Sequence, residues 1–330
     1  IQTITAATSS IDPGVRRLIF NLQELAVPIV GAPMAGGPGT PALAAAVSNA
    51  GGLGFLAAGY LTPQKFAEGI AAARAAASGP IGVNLFVPQP SVATPAALAR
   101  YREQLSPLSE RYGVQPGMPR PDDDAWQAKL EVVADVVPEV ASFTFGCPAP
   151  EVLARLRDRG VLTWVTVTSA DEARVAVEAG ADGLVVQGPA AGGHRGTFDP
   201  GATPSGLPLN ELLAGAKAFG VPIVAAGGIS DAAAVTGVLG RGASAVQVGT
   251  ALLLADEAGT NPVHRRALRD GQFTDTVVTC AFSGRYARGL ANDFTARYDP
   301  VAPLGYPEVN QMTGPIRAAV IAAGDPHGID

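Results

Sequence analysis

Residues 162–187, LTWVTVTSADEARVAVEAGADGLVVQ, contain one complete unit of the fold. The apolar runs LTWVTV (162–167) and GLVVQ (183–187) are rich in β-branched residues, and a stretch that begins at Ser169 and ends at Gly180 separates them. Ser is a preferred residue at the start of a helix and Gly at its end, so this stretch predicts a helix. A buried strand, a helix and a second buried strand predict a parallel βαβ unit.

The same alternation continues along the chain. Six further strands are predicted at PIVGAP (28–33), GLGFLA (52–57), IGVNLF (81–86), VASFTF (140–145), PIVAA (222–226) and SAVQVG (244–249), with Ala-rich helical stretches between most of them. Eight parallel strands, each buried on both faces and followed by a helix, predict an α/β protein built as a (β/α)8 TIM barrel. A doubly wound open sheet is the alternative.

Two segments do not fit the repeating unit. Residues from about 88 to 138 are too many for one connection, and they predict a helical insertion after strand 3, with two helices split by a loop rich in Pro and Gly. We expect residues 1–255 to form the barrel. Residues 256–330 are predicted to form a C-terminal helical extension, with a Pro-rich tail, that packs on the barrel.

Composition and charge favour a small-molecule partner. The chain has 330 residues with a net charge of -6 and no block of Lys or Arg, so nucleic acid is a poor candidate. Cys147 and Cys280 are far apart and predict neither a disulfide framework nor a metal site. The first 20 residues lack the pattern of a secretory signal, and the sequence has no unbroken apolar run of about 18 residues. We therefore expect a cytoplasmic protein that does not enter a membrane.

The residues at the ends of the predicted strands carry few charges. In TIM barrels the active site lies at the carboxyl ends of the strands. Small apolar residues, amides and one hydroxyl occur there, namely Ala32, Pro33, Met34, Asn84, Thr166 and Gln187. Such a surface suits a flat, largely neutral ring that backbone can approach closely.

The two loops after the last strands predict a phosphate site. Gly227 and Gly228 follow strand 7, and Gly249 and Thr250 follow strand 8 at the expected start of a helix. Glycine loops and helix N-termini can bind a phosphate through backbone N–H groups without a lysine. Ordinary tight turns are the alternative. A ring and a phosphate together indicate flavin mononucleotide (FMN) as the cofactor.

Five segments, taken in order, resemble the nitronate monooxygenase family, once called 2-nitropropane dioxygenases. They are PIVGAPMAGG, IGVNLF, VVQGPAAGGHRG, IVAAGGI and VQVGT, and the resemblance runs from about Pro28 to Asn292. FSGRYARGLAN also looks like the family's closing segment, although it suggests no role for Tyr286. The resemblance implies a TIM barrel that holds FMN and oxidises a nitronate with O2 to a carbonyl compound and nitrite. The residues it implies for the cofactor are Met34, Asn84, Gln187, Gly192, Gly193, Gly228 and Gln247 to Thr250.

His194 is the candidate catalytic residue. It lies between glycines in GPAAGGHRGTFD (188–199), and the resemblance implies that it faces the substrate. A solvated loop histidine is the simpler interpretation. An imidazole at this position could remove the α-proton of a nitroalkane as a general base, or hold the nitronate anion. Arg195 could attract the anion or fix the loop through a salt bridge.

Two other functions remain open. The barrel, the FMN and the Gly-His loop also resemble an FMN-dependent NAD(P)H enoyl-acyl carrier protein reductase. A non-catalytic flavin-binding protein is a hypothesis of another class. In the favoured hypothesis the small-molecule partners are a nitronate and O2, and no metal is required. We expect the protein to form a homodimer.

Overall fold

The computed structural model describes residues 20–328, so the expectation about a signal sequence concerns residues that lie mostly outside the described part. Eight parallel strands form one sheet. They are β1 (Ile29–Gly31), β2 (Gly54–Ala57), β3 (Ile81–Phe86), β4 (Val140–Thr144), β5 (Leu162–Val167), β6 (Gly183–Gln187), β8 (Ile223–Ala226) and β9 (Ala245–Val248). β7 (Gly193–His194) belongs to a second sheet.

The large sheet closes on itself. Its strand order is β1-β9-β8-β6-β5-β4-β3-β2. The first strand then meets the residue before β2, because Gly31 N donates to Leu53 O at 2.9 Å and Leu53 N donates to Ile29 O at 3.0 Å. The predicted TIM barrel is therefore confirmed, and the open doubly wound sheet is excluded.

Helices surround the barrel where the sequence predicts them. They are α1 (Pro41–Asn49), α2 (Pro63–Ala76), α5 (Trp126–Val136), α6 (Pro150–Asp158), α7 (Ala170–Glu178), α8 (Leu209–Lys217) and α9 (Ala232–Gly240). Thr40, Thr62, Ser169 and Asp231 cap four of them, and each side chain accepts a hydrogen bond from a backbone N–H in the first turn. These caps satisfy donors that have no partner within the helix, which is why the helices begin there.

The interior of the barrel contains large side chains next to glycines. Phe55 and Trp164 pack at a ring-centroid distance of 5.9 Å. A Cβ atom at Gly82 would lie 2.5 Å from the Phe55 ring, and one at Gly183 would lie 2.9 Å from Trp164. Since both rings fill the space that a side chain would need, the glycines in β3 and β6 allow the interior to pack densely.

The insertion contains more helices than predicted. α3 (Pro95–Gln104) and α4 (Ser106–Tyr112) meet at Leu105, and α5 follows after a loop. The prediction of two helices was therefore wrong, because a new helix with Pro107 in its first turn begins at Ser106, within the first predicted one. Since α5 contacts β3 and α2, it is the regular barrel helix between β3 and β4.

The C-terminal extension packs against the insertion. It contains α10 (Pro262–Arg269), α11 (Asp293–Tyr298) and α12 (Glu308–Ala322), together with short 3-10 helices at Asp299–Val301 and Pro326–Gly328. Tyr101 and Leu105 of the insertion share a buried apolar cluster with residues of the extension such as Phe282 and Met312. The two additions to the barrel are thus held together by a core of their own.

The extension also contributes to a small antiparallel sheet that the sequence analysis missed. β10 (Thr276–Thr279) pairs with β11 (Ala287–Leu290), and β11 pairs with β7. The β7 strand has only two residues, of which one is a glycine, so no alternating pattern could reveal it. This sheet joins the extension to the loop that carries His194.

Within residues 20–328, no helix is both long and apolar enough to cross a membrane.

Candidate active site

The carboxyl ends of the barrel strands form one mouth, and many of the predicted site residues contact one another there. A Cβ atom at Gly249 would lie 3.2 Å from the Ala32 side chain and 3.8 Å from Met34 Sδ, and one at Gly192 would lie 2.6 Å from Thr250 Oγ1. Loops that are more than 200 residues apart in sequence therefore meet at this mouth. Pro33 and Gln247 lie beside these residues, directly after β1 and within β9.

Polar side chains connect the ends of neighbouring strands on the opposite side of the mouth. Asn84 Nδ2 donates to Ser142 Oγ at 2.9 Å and to Thr144 Oγ1 at 3.0 Å. The hydroxyls of Thr144 and Thr166 lie 3.3 Å apart. Because both amide protons are bonded to the protein, Asn84 is held in one orientation.

Gln187 fixes the loop that follows β6. Its Nε2 donates to His194 O at 3.0 Å, and its Oε1 accepts from Gly196 N at 2.8 Å and from Arg195 Nε at 3.4 Å. Gly193 has a φ of +71°, a conformation that glycine adopts without strain. The loop predicted to carry His194 is therefore held rigidly at the mouth.

The His194 ring is half-buried among aromatic residues and a serine. Its Nε2 lies 2.8 Å from Ser283 Oγ. The centroid of its ring is 5.5 Å from that of Phe145 and 6.1 Å from that of Tyr306, and both pairs meet edge to face. Phe145 has a φ of +76°, which is rare for a residue with a large side chain. The backbone directly after β4 is thus held in an unfavourable conformation where Phe145 contacts His194.

Tyr306 remains an uncharged hydroxyl at this site. Burial, and then the neighbouring Tyr60, raise the pKa of Tyr306 well above its ordinary value. Its phenol group is therefore protonated at neutral pH and can take part in hydrogen bonds as a neutral group.

Two buried arginines lie near His194. Arg195 and Arg285 are each only 2% exposed, and within residues 20–328 neither has a carboxylate within ion-pair distance. The Arg285 guanidinium lies 4.0 Å from the centre of the Phe145 ring, and burial lowers its pKa to about 10. Burial, and then the charge of Arg288, lower the pKa of Arg195. Both are still protonated at neutral pH, so this side of the mouth carries positive charge.

The salt bridge considered for Arg195 does not form. Arg195 donates instead to Gln187 Oε1 and to Ser205 O, both at 3.4 Å, and its backbone N donates to Tyr286 O at 2.8 Å. Arg195 therefore fixes the loop through uncharged acceptors. Tyr286, which had no predicted role, contributes its backbone carbonyl to the same loop.

The loops after β8 and β9 present backbone N–H groups at the mouth. Gly227 and Gly228 have φ values of +102° and +72°. Within residues 20–328, the N–H groups of Gly227, Gly228 and Gly249 donate to no protein acceptor. Thr250 begins a 3-10 helix of three residues, Thr250–Leu252, where the sequence predicted the start of a helix. The N–H groups available to an anion are therefore mainly those of the glycines.

A small cavity of about 50 Å³ lies beside Phe145. Its lining includes Tyr60, Phe86, Phe145, Arg285 and Tyr306. Sequence reasoning placed Phe145 at the end of a predicted strand without a role, and it missed Ser283, Arg285 and Tyr306. Ser283 and Arg285 lie within the segment FSGRYARGLAN, which could have indicated them, whereas no local pattern marks Tyr306.

The acidic run Asp122 to Asp124 directly precedes α5. Within the described residues, no group of His, Cys, Asp and Glu side chains could hold a metal ion. Asp124 forms an ion pair with Lys129 at 2.7 Å, and the Lys129 side chain is only 1% exposed. Tyr60 N, in the loop after β2, donates to Asp124 Oδ1 at 3.1 Å, so Asp124 joins the start of α5 to the barrel.

Comparisons with known proteins identify one family. The family model for nitronate monooxygenases matches residues 20–329. Proteins named nitronate monooxygenase from Paraburkholderia phytofirmans and Pseudomonas aeruginosa are 38% and 39% identical to this chain. The alignments cover 94% and 90% of this chain, and in each case 87% of the relative.

Solved structures agree with this result. A nitroalkane oxidase from Streptomyces ansochromogenes has a TM-score of 0.89 and 45% identity, and the alignment covers 93% of this chain and 89% of that one. FabK from Thermotoga maritima has a TM-score of 0.62 and 28% identity, with coverage of 84% and 75%.

Proposed function

The chain belongs to the nitronate monooxygenase family, and from this premise we propose that it is an FMN-dependent enzyme that oxidises alkyl nitronates. In this reaction O2 is consumed, and the products are a carbonyl compound and nitrite. The family consists of oxidoreductases and is generally flavin-dependent, so the chain is an enzyme. The observation that carries the proposal is the position of His194, which a rigid loop holds at the mouth beside Phe145 and Tyr306.

The backbone of the last two loops fits the phosphate of FMN. The N–H groups of Gly227, Gly228 and Gly249 have no protein acceptor within residues 20–328, and a phosphate oxygen can accept from such groups. A Cβ atom at Gly227 would lie 2.9 Å from Ala191 N, so a side chain there would disturb the adjoining loop. We therefore assign the phosphate to Gly227, Gly228, Gly249 and Thr250.

The remaining predicted residues would hold the ring system. Ala32, Pro33, Met34, Asn84, Thr166, Gln187, Gly192, Gly193 and Gln247 are small, apolar or uncharged polar residues at or near the strand ends. Bound FMN would supply the redox chemistry, which is electron transfer from the nitronate to O2. The protein contributes binding and orientation.

His194 can assist the reaction of either substrate form, the neutral nitroalkane or the nitronate anion. A neutral nitroalkane must lose its α-proton, which an imidazole can accept because its pKa lies near working pH. A nitronate that is already formed needs a donor to its negative oxygens, which the protonated His194 ring can supply. Positive charge on the buried Arg195 and Arg285 favours the anion in both cases.

The surroundings of His194 suit an alkyl nitronate. The His194 ring meets Phe145 and Tyr306 edge to face, so an alkyl chain beside it would contact aromatic surface. Propionate 3-nitronate is one candidate, and a panel of nitronates ranks it against longer alkyl ones.

The deciding experiment measures cofactor and turnover in the same preparation. The purified protein is expected to be yellow and to release FMN, and not FAD, on denaturation. Oxygen uptake and nitrite release are then followed with a panel of nitronates, with and without NADH. Turnover that needs no reduced nicotinamide supports the proposal. Rapid NADH consumption with an enoyl thioester and no reaction with nitronates would favour the reductase. FMN without any turnover would favour a non-catalytic flavin-binding protein.

The variant His194→Asn tests the residue that carries the proposal. If His194 is the base, the variant should lose more than about 10²-fold of its activity on neutral nitroalkanes and keep much of its activity on preformed nitronates. If His194 only holds the anion, both activities should fall together. His264→Asn is the matched control. Full activity of His194→Asn with FMN bound would overturn the assignment.

We also propose that the enzyme works in the cytoplasm on small molecules alone and forms a homodimer. Light scattering coupled to gel filtration measures the assembly, and fractionation of the source cells measures the location. A monomeric mass or a membrane-bound fraction would contradict these two statements.

A further inference from the structure

Ser283 makes three close polar contacts with a single hydroxyl group. Its side chain lies between β10 and β11 and is only 4% exposed. The Oγ atom lies 2.8 Å from His194 Nε2, 3.1 Å from Arg285 O and 3.3 Å from Arg285 N. Because water cannot easily replace these partners at a buried site, the direction of each hydrogen bond matters.

The chemistry of the three partner atoms determines which atom donates in each hydrogen bond of Ser283. A backbone N–H can only donate and a backbone carbonyl can only accept, whereas a serine hydroxyl has one proton and two lone pairs. If the proton of Ser283 points to Arg285 O, its lone pairs accept from Arg285 N and from His194 Nε2–H, and all three contacts are hydrogen bonds. If the proton points to His194 instead, two acceptor oxygens face each other at 3.1 Å. The first arrangement is therefore the more stable one.

We propose that Ser283 is a positioning residue that keeps the proton of neutral His194 on Nε2. In the neutral ring, Nδ1 is then the basic nitrogen. When Nδ1 takes a proton, Nε2–H continues to donate to Ser283 Oγ, so this hydrogen bond is kept in the charged ring. Gln187, which holds the His194 carbonyl, and the edge-to-face contacts with Phe145 and Tyr306 fix the ring orientation.

The tautomer can be measured without any assay of turnover. The chain contains three histidines, so a long-range ¹H–¹⁵N correlation spectrum of the ¹⁵N-histidine-labelled protein resolves few ring systems. Spectra of His264→Asn and His327→Asn assign the His194 signals by elimination. We expect Nε2 to be the protonated nitrogen in the wild type, a mixture of tautomers in Ser283→Ala, and recovery of the wild-type tautomer in Ser283→Thr. Protonated Nδ1 in the wild type, or an unchanged tautomer in Ser283→Ala, would overturn the proposal.

A kinetic measurement adds the catalytic consequence, and this part rests on the proposed function. Ser283→Ala should lower kcat on neutral nitroalkanes by about 10-fold to 10²-fold, with a small change in KM, because the base is present in the correct form for only part of the time. Preformed nitronates, which need no proton removal, should react at nearly the wild-type rate. Equal losses on both substrates would contradict a role through the tautomer.

The spectrum and the kinetic assay distinguish an error in the proposed function from an error in the role of Ser283. If the protein oxidises neither nitroalkanes nor nitronates, the proposed function is wrong, and the spectrum still decides the role of Ser283. The variant Ser78→Ala, which removes an exposed hydroxyl far from the mouth, is the matched control for both measurements.

Discussion

The substitution Gln187→Ala removes the side chain that holds the His194 loop. In the wild type, the two ends of this amide make three hydrogen bonds to the loop, with His194 O at 3.0 Å, Gly196 N at 2.8 Å and Arg195 Nε at 3.4 Å. Alanine can make none of them. The carbonyl of His194 and the N–H of Gly196 lose their partners at a half-buried site, and the loop is free to move away from Phe145.

The size of the effect follows from these contacts. Each of the two shorter hydrogen bonds contributes about 1 kcal/mol, and a buried group that loses its partner costs about 1–3 kcal/mol. The bond to Arg195 is long and adds little. We therefore expect a loss of about 2–4 kcal/mol in the free energy of unfolding. With about 2.1 cal/mol/K of unfolding entropy per residue, a chain of this length loses about 3–6 °C in Tm. A misplacement of His194 by about 1 Å would lower kcat by up to about 10²-fold.

Thermal unfolding followed by circular dichroism measures the stability of Gln187→Ala, and nitrite release measures its activity. Gln64→Ala, which truncates an exposed glutamine on α2, is the control and should resemble the wild type. If Gln187→Ala melts within about 1 °C of the wild type and keeps its kcat, Gln187 does not hold the loop, and the reasoning about this site is wrong.

Three further predictions concern stability, and thermal or denaturant unfolding measures each of them. Asp124→Asn should destabilise the protein by up to about 3–5 kcal/mol, because it leaves the Lys129 ammonium group, whose side chain is 1% exposed, without its charged partner. Lys129→Met removes the buried charge and should cost less stability. Equal losses in the two variants would contradict this reasoning. Gly54→Ala should prevent α1 from packing, since the new Cβ would lie 1.8 Å from a backbone oxygen of that helix. Gly69→Ala, with open space around it, should be tolerated. Similar yields of the two folded variants would contradict the predicted clash at Gly54. Burial acts to raise the pKa of Asp325, but its hydrogen bonds lower the pKa overall. The ionised carboxylate therefore stabilises the fold above the unfolded-state pKa of 3.8, and this stabilisation is lost as the pH falls through the folded-state pKa. Asp325→Asn should lose less stability than the wild type on acidification, and an identical pH dependence of the two proteins would contradict the shift.

The sequence by itself determined the barrel. All eight barrel strands lie within the predicted segments, and helices begin at capping residues such as Ser169 and Asp231. Strand burial and helix capping are set by residues close together in the chain, so they can be read locally. The same local patterns placed the glycines of the mouth and His194 in loops that follow strands, and a TIM barrel brings those strand ends to one side.

Only the tertiary structure decided what surrounds His194. Ser283 is 89 residues away in sequence, and Tyr306 comes from a different part of the extension. The two-residue strand β7, which brings the extension to the loop, is too short to produce a pattern. The burial of Arg285 could not be expected either, since arginine is usually exposed, and the Phe145 ring under its guanidinium comes from a distant strand end. A contact between distant segments depends on how the whole chain packs, and no local run of residues records it.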